Sequence, residues 1–291
     1  VDAQADAITY AIASGNGDGY FAIDSATGAL SLTAAGAAAI DAESATTAYT
    51  LGVVATDALG NASAATNVTI NVGDISDTAP VAIDATGTTT EAGAVVTGTL
   101  TATDADAVDA GMLGFTLDAD VDGVTLNADG SYSFDPSLNP AAQALTYTDL
   151  PLPIVANYTV TDTGGNTDQG TLTITVTPKP LTFTIVPSAT YVEEGQTISY
   201  KLVASEAVQT EITGSIQVTP GDGTAGQTAA NDFGSGALNP QNVTIAVGQT
   251  ESTLFNLIPQ NDAATEVPES YTAKATVTGY TIADVTGEVR D

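Results

Sequence analysis

The feature that most constrains this chain is a repeated two-residue alternation. Runs such as "AITYAIA", "YTLGVVAT", "NVTINV", "VVTGTLTAT", "NYTVTDT", "TLTITVT", "TISYKLVA", "SIQVT", "NVTIAV", "TLFNLI" and "YTAKATV" set small apolar or β-branched residues against threonine or serine. That pattern suits half-buried strands and not helices. "DSATG", "NADG" and "DTGGN" supply turn chemistry between the runs. The one helix-like stretch, "TAAGAAAIDAES", is long enough for little more than a turn. Many short strands and no long helix predict β-sandwiches of roughly 80–110 residues each. Aromatic residues are only 5% of the chain, so the cores are expected to be built from Val, Ile, Leu and Ala.

Two linkers interrupt the alternation. One is "GDISDTAP", Gly73 to Pro80; the other is "TPKPL", Thr177 to Leu181, with prolines at 178 and 180. They predict three tandem domains near 1–76, 77–179 and 180–291. The chain begins inside a strand pattern, as a segment of something longer would.

Charge narrows the function. Lysine and arginine total 4 against 35 aspartates and glutamates, a formal charge of −31. Phosphate binding needs lysine and arginine, so nucleic acid and anionic lipid are very poor partners, and neither nucleic-acid binding nor membrane insertion is expected. There is no histidine, cysteine or tryptophan. Ser-His triads, thiol nucleophiles, and zinc or copper sites of imidazole and thiolate are therefore excluded. Oxygen ligands remain, and they suit calcium or magnesium. No apolar run approaches the ~18 residues of a membrane span. Charge this lopsided is also a mark of disorder, but 43% of the residues are apolar and they alternate. No pair of carboxylates stands out as a glycosidase pair, and no aromatic platform for sugar stacking is evident. "SGNGDGY" (14–20) reads as a turn and not a phosphate cradle, having no helix or lysine after it. An enzyme is not expected.

The first domain resembles a bacterial cadherin-like repeat through "ITYAI" (8–12), "GYFAIDSATGALSL" (19–32), "IDAE" (40–43), "YTLGVVATDALGN" (49–61) and "GDISDTAP". The second resembles VCBS and cadherin-like repeats through "TATDAD" (101–106), "VTLNADGSYSFDP" (124–136) and "YTVTDTGGN" (158–166). The third resembles a Calx-β domain through "VEEGQTISYKLV" (192–203), "NDF" (231–233), "VGQTESTLFNLIPQNDA" (247–263) and "EVPESYTAKATV" (266–277). The order of modules resembles the extracellular repeat region of a large Gram-negative repeats-in-toxin adhesin. It implies an all-β fold of three Greek-key, immunoglobulin-like sandwiches placed end to end, several bound calcium ions, a monomer, and a place on the bacterial cell surface. Three departures from the families stand out. "VDAQADAITY" starts past the family's first strand and its glutamate, so that strand is missing or supplied elsewhere. Ser76 and Thr78 stand where asparagines are usual. "TPKPL" has no acidic motif.

The resemblance assigns metal ligands. Asp41 and Glu43 lie two apart, and so do Asp104 and Asp106; in extended segments each pair faces one way. With Asp74, Asp77 and Asp162 they are implied to converge where the first two domains meet, and Asp57 is the matching Ala-x-Asp aspartate of the first domain. Two unit charges ~5 Å apart repel by roughly 3 kcal/mol at an effective dielectric of ~20, so seven carboxylates together need neutralising. Calcium accepts six to eight oxygens, and two or three ions would satisfy the set. The alternative is a solvated acidic surface.

A second stretch, "DADVDGVTLNAD", places Asp118, Asp120, Asp122 and Asp129 at loop positions 1, 3, 5 and 12 of an EF-hand pattern. Its flanks read as strands, which favours a plain hairpin connection. In the third domain the Calx-β resemblance points to Glu193 or Glu194, Asp232, Asp262, Glu269 and Asp291. Two functions follow. One is a calcium-stiffened extender that projects a distal binding domain from the cell. The other is a calcium-dependent module for a peptide or glycan, sited at the long loop "PGDGTAGQTAANDFGSGALNPQN" (220–242).

Overall fold

The computed structural model describes residues 7–44, 46–221, 233, 238–261 and 268–290. Its contacts divide the chain into two compact units: Val1–Ala144 with Pro151–Thr177, and Leu145–Leu150 with Pro178–Asp291. Both are built almost entirely from strands, as the alternation predicts.

The first unit opens with β1 (Thr9–Ser14), β2 (Phe21–Ile23), β3 (Leu30–Leu32), helix α1 (Ala34–Ala39), β4 (Ala48–Thr56) and β5 (Thr66–Asn71). Strands β1, β4 and β5 form an antiparallel sheet in that order, and β2 and β3 form a separate hairpin. Helix α1 comes from the alanine run; the Thr33 hydroxyl accepts from the Gly36 amide at 3.1 Å and so caps its start. Among the described apolar residues of this segment, only Phe21 and Leu51 are buried.

The second segment carries β6 (Val81–Ile83), β7 (Ala85–Thr90), β8 (Val96–Thr99), β9 (Thr101–Thr103), β10 (Gly114–Leu117), β11 (Val124–Leu126), β12 (Ser131–Phe134), helix α2 (Pro140–Gln143), β13 (Leu152–Thr161) and β14 (Thr167–Thr177). One sheet runs β10-β13-β14-β7, with β7 parallel to β14; another runs β11-β12-β8; β6 pairs with β9. Side chains along β13 and β14 alternate in and out, burying Ile154, Ala156, Tyr158, Val160, Leu172, Ile174 and Val176. Glycine has a packing role opposite tyrosine here. Gly170 faces Tyr158 across the ladder, and a Cβ on it would lie 2.4 Å from the ring. Gly98 and Tyr132 repeat the arrangement.

The second unit contains β15 (Phe183–Pro187), β16 (Tyr191–Glu193), β17 (Ile198–Ala204), β18 (Ile212–Pro220), β19 (Gln241–Ile245), β20 (Phe255–Leu257), β21 (Glu269–Thr276) and β22 (Val285–Arg290). Its sheets run β15-β17-β20 and β16-β22-β21-β18-β19, with β16 parallel to β22. Between them lies a core that includes Leu202, Ile216, Ile245 and Leu257. Tyr200 and Tyr271 share a hydroxyl hydrogen bond of 2.6 Å within it, and burial pushes both phenols above their ordinary pKa. A buried hydroxyl needs such a partner.

Candidate metal centre

Four loops of the first unit meet at one place. The turn after α1 brings Asp41 and Glu43. The connection from β5 to β6 brings Asp74, Ser76 and Asp77. The connection from β9 to β10 brings Asp104, Asp106 and Asp109, and the β13–β14 turn brings Asp162. Carboxylate oxygens from Asp41, Glu43 and Asp77 lie within 4.8 Å of one another. The same holds for Glu43, Asp74 and Asp106, and for Asp104, Asp109 and Asp162. All seven carboxylates expected to converge fall in these groups, and Asp109 joins them.

Four of these acids divide their two oxygens between two tasks. Asp106 Oδ2 accepts from the backbone amides of Asp77 and Thr78, each at 2.9 Å, which fixes the linker. Asp74 Oδ2 accepts from Val108 N at 3.0 Å, and Asp104 Oδ1 from Asp106 N at 3.0 Å. Asp109 Oδ1 accepts from the amide and hydroxyl of Thr163. The remaining oxygens, Asp74 Oδ1, Asp104 Oδ2, Asp106 Oδ1 and Asp109 Oδ2, are buried and receive no hydrogen bond. Asp106 and Asp109 are 1% and 0% exposed. Buried carboxylates left this way are costly unless a cation or proton meets them.

No side chain of this unit can be that cation. The four basic residues are Lys179, Lys201, Lys274 and Arg290, and all lie outside it; the chain has no histidine. The donor set is entirely oxygen and carries a large negative charge, which fits a hard divalent cation. A cavity of about 240 Å³ lies among Ile40, Asp41, Glu43, Gly73, Ile75 and Asp77.

Electrostatics register the crowding. The hydrogen bond between the Glu43 and Asp41 carboxyls raises Glu43 to about 7 and lowers Asp41, so the two share a proton near neutrality. The Thr163 hydroxyl holds Asp109 below the carboxylate range against its burial. Burial pushes Asp162 up, but the Asn166 side chain and the Asn166 and Gly165 amides leave it lowered overall.

The other expected ligands are placed differently. Asp57 accepts from Leu59 N, Asn61 N and Asn61 Nδ2 within its own turn and belongs to none of the groups. Asp118, Asp120, Asp122 and Asp129 are exposed along the β10–β11–β12 connections and are not gathered either. Asp118 accepts from Thr159 Oγ1 and Gln169 Nε2, and Asp129 from Ser131; the flanks of this stretch are strands. Glu193 and Glu269 pair with Arg290 and Val289 on either side of β22, and Glu194 donates its amide to the Arg290 carbonyl. Asp232, Asp262 and Asp291 lie outside the described residues, as does most of the loop from 220 to 242. Phe233, from that loop, is buried edge-on against Tyr271.

Two residues of the centre were not singled out as ligands from sequence. Asp109 has no acidic neighbour two positions away, and only the 3-10 turn at Ala107–Asp109 points it inward. Ser76 marked a departure from the family; its hydroxyl accepts from Gly164 N at 2.7 Å.

Comparison with known proteins finds two matches within the first unit. Residues 2–73 match the family model of the cadherin domain, and residues 77–175 match that of a bacterial Ig domain. No curated protein sequence matches the chain. Similar solved structures include human protocadherin-24 EC1-2, at 22% identity and a TM-score of 0.43 over 62% of this chain and 85% of that one. Mouse protocadherin-24 EC1-3 is 16% identical, with a TM-score of 0.44 over 97% and 89%. Drosophila N-cadherin EC1-4 is 14% identical, with a TM-score of 0.43 over 100% and 68%. Cadherin and bacterial Ig domains are extracellular modules, typically adhesive or structural and not enzymatic. No described helix is long and apolar enough to cross a membrane. Residues 2–73 are thus similar to a cadherin domain and residues 77–175 to a bacterial Ig domain, and the acidic centre lies where the two matched segments join.

Proposed function

We propose that this chain is a calcium-stiffened extender segment of a large repeats-in-toxin adhesin on a bacterial cell surface. Its three domains lie near 1–76, 77–179 and 180–291, the last of Calx-β type. The observation that carries the reading is the set of four buried carboxylate oxygens without donors on Asp74, Asp104, Asp106 and Asp109, in a unit that has no lysine, arginine or histidine. Asp41, Glu43, Asp74, Asp77, Asp104, Asp106, Asp109 and Asp162 would hold the ions. Bound calcium supplies the positive charge and the six-to-eight-fold oxygen coordination that such a set lacks. The protein's part is to hold the ligands ready: one oxygen of each buried acid fixes a backbone segment and leaves the other in place. Ligands from the linker and from both flanking domains make the metal a brace across the joint. Because the unfolded chain has no assembled site, binding adds to stability.

Calcium at about a hundred times its dissociation constant adds ~2.7 kcal/mol, and ~1 kcal/mol moves the Tm of a unit this size by roughly 2–4 °C. The melting temperature of the first unit's transition in the intact chain is therefore expected to rise by roughly 5–10 °C with millimolar calcium. Chelator should reverse the rise. Magnesium should do less, since it demands octahedral geometry and keeps its waters. Superimposable melting curves in calcium and chelator would refute the reading.

A further inference from the structure

The loop that joins the two segments of the first unit is held unequally from its two sides. Toward the second segment it is tied by hydrogen bonds from backbone amides. Asp106 accepts from the amides of Asp77 and Thr78, and Asp74 accepts from Val108 N. Ser76 makes the third tie: its hydroxyl accepts from Gly164 N, in the β13–β14 turn, at 2.7 Å. Backbone lies directly on backbone there, since a Cβ on Gly164 would stand 2.2 Å from the Ser76 carbonyl oxygen. Toward the first segment the loop meets carboxylates. Among the described residues, the polar contacts of 74–78 on that side are those of Asp74 and Asp77 with Asp41 and Glu43. Ionised carboxylates this close repel unless a cation or a proton lies between them.

Gly73 separates the two regimes. Val72, before it, donates its amide to Thr47 O at 2.9 Å and so extends the first segment's sheet. Asp74, after it, is tied to Val108 of the second segment. Gly73 itself is exposed, and a Cβ placed on it would have no neighbour within 4 Å. An unpacked glycine between two anchored residues is where backbone rotation costs least.

We propose that residues 74–78 are a built-in part of the second segment with or without metal. Ser76 is the positioning residue that latches them there, and the metal-free joint turns at Gly73. The inference rests on the calcium reading for what closes the joint. The half-site on the linker and the second segment stands preassembled, and the ion recruits Asp41 and Glu43 to it. Without the ion, repulsion between Asp41 or Glu43 and Asp74 or Asp77 acts across Gly73 and leaves the latch closed, because the latch is made of amide hydrogen bonds.

The test is hydrogen–deuterium exchange and backbone amide relaxation on the intact chain in chelator, so that it reads the latch without calcium. The amides of Asp77, Thr78, Val108 and Gly164 should be protected already and should change little when calcium is added. The Gly73 amide should be unprotected and show fast internal motion. Ser76→Ala removes the hydroxyl acceptor, and Gly164→Ala drives a methyl group against the Ser76 carbonyl; neither removes a carboxylate. Each should speed exchange at Asp77 and Thr78 in chelator by roughly tenfold, the loss of about one hydrogen bond. The amides of β4, β13 and β14 should keep their rates. A latch protected in chelator beside absent calcium binding would sink the calcium reading and leave the latch standing. Two results overturn the proposal. One is Asp77 and Thr78 amides that exchange in chelator as fast as that of Gly73 and slow only with calcium, which would make the metal what docks the linker. The other is unchanged exchange in both variants.

Discussion

Two turns of the first unit are nearly superimposable in their hydrogen bonding, and among the described residues only one of them joins a group of carboxylates. In each, an aspartate amide donates to the carbonyl of the asparagine four residues on: Asp57 to Asn61 at 3.0 Å, and Asp162 to Asn166 at 3.1 Å. The asparagine amide returns to Oδ1 at 2.8 and 2.7 Å, and its side chain donates to Oδ2 at 2.8 Å in both. The surroundings differ. Asp162 is 7% exposed and stands against Asp104 and Asp109. Asp57 is half-buried among Ile8, Ala55, Thr56, Ala62 and Ser63. The five-residue motif therefore encodes a turn that presents a carboxylate. A metal centre needs the further carboxylates that distant loops deliver.

That contrast can be broken most severely by removing the distant loop's contribution. Asp104→Asn with Asp106→Asn keeps the side-chain volumes but removes two negative charges and one buried oxygen from each acid. The pair should abolish the calcium-dependent rise in Tm while changing the melting curve in chelator little or in the stabilising direction, since repulsion is relieved. Retention of the full calcium response would show that the centre does not depend on this loop.

The two turns can then be compared directly. Asp162→Asn should weaken calcium binding by an order of magnitude or more, while Asp57→Asn should leave the calcium isotherm unchanged and lower Tm by a few degrees at most. Equal effects on calcium affinity would erase the distinction between them.

A smaller effect concerns protons. Glu43 is raised to about 7 from an ordinary value of 4.5, so the calcium-free fold favours its protonated form. Its contribution to stability is full below pH 4.5 and is lost as pH rises through 7. Calcium needs the ionised form, so its affinity should climb over the same interval. Glu43→Gln should flatten both trends. Asp109 and Asp162 are lowered and act in the opposite sense: their contribution is present above pH 3.8 and is lost as pH falls through their depressed values. A calcium affinity that stays constant between pH 5 and 8 would contradict the shared proton at Asp41 and Glu43.

Much of this architecture was legible because it is local. Alternation in "NYTVTDT" and "TLTITVT" becomes the alternate burial of β13 and β14, and "TAAGAAA" becomes a short capped helix. The paired acids were legible through the motifs of the family resemblance and not through strand alternation, since both pairs lie in turns and loops outside the strands. Asp109 was not, because it stands outside those motifs and a 3-10 turn aims it at the centre. Spacing also gave a pattern at Asp118–Asp129 that the chain does not gather. Four acids placed at loop intervals stay apart when the connection runs between strands, and Asp118 turns instead to Thr159 and Gln169. The strand order of the sheets could not be read from any one run, because it depends on which runs pair.

The central claim is that the buried, donor-less oxygens of Asp74, Asp104, Asp106 and Asp109 are calcium ligands. Its most direct test is a calorimetric calcium titration of the intact, chelator-stripped chain beside the Asp104→Asn, Asp106→Asn variant. The account predicts saturable binding of at least two ions by the native chain, with at least one lost in the variant. Absence of saturable binding up to millimolar calcium, or the same number of sites and the same affinity in both proteins, would contradict it.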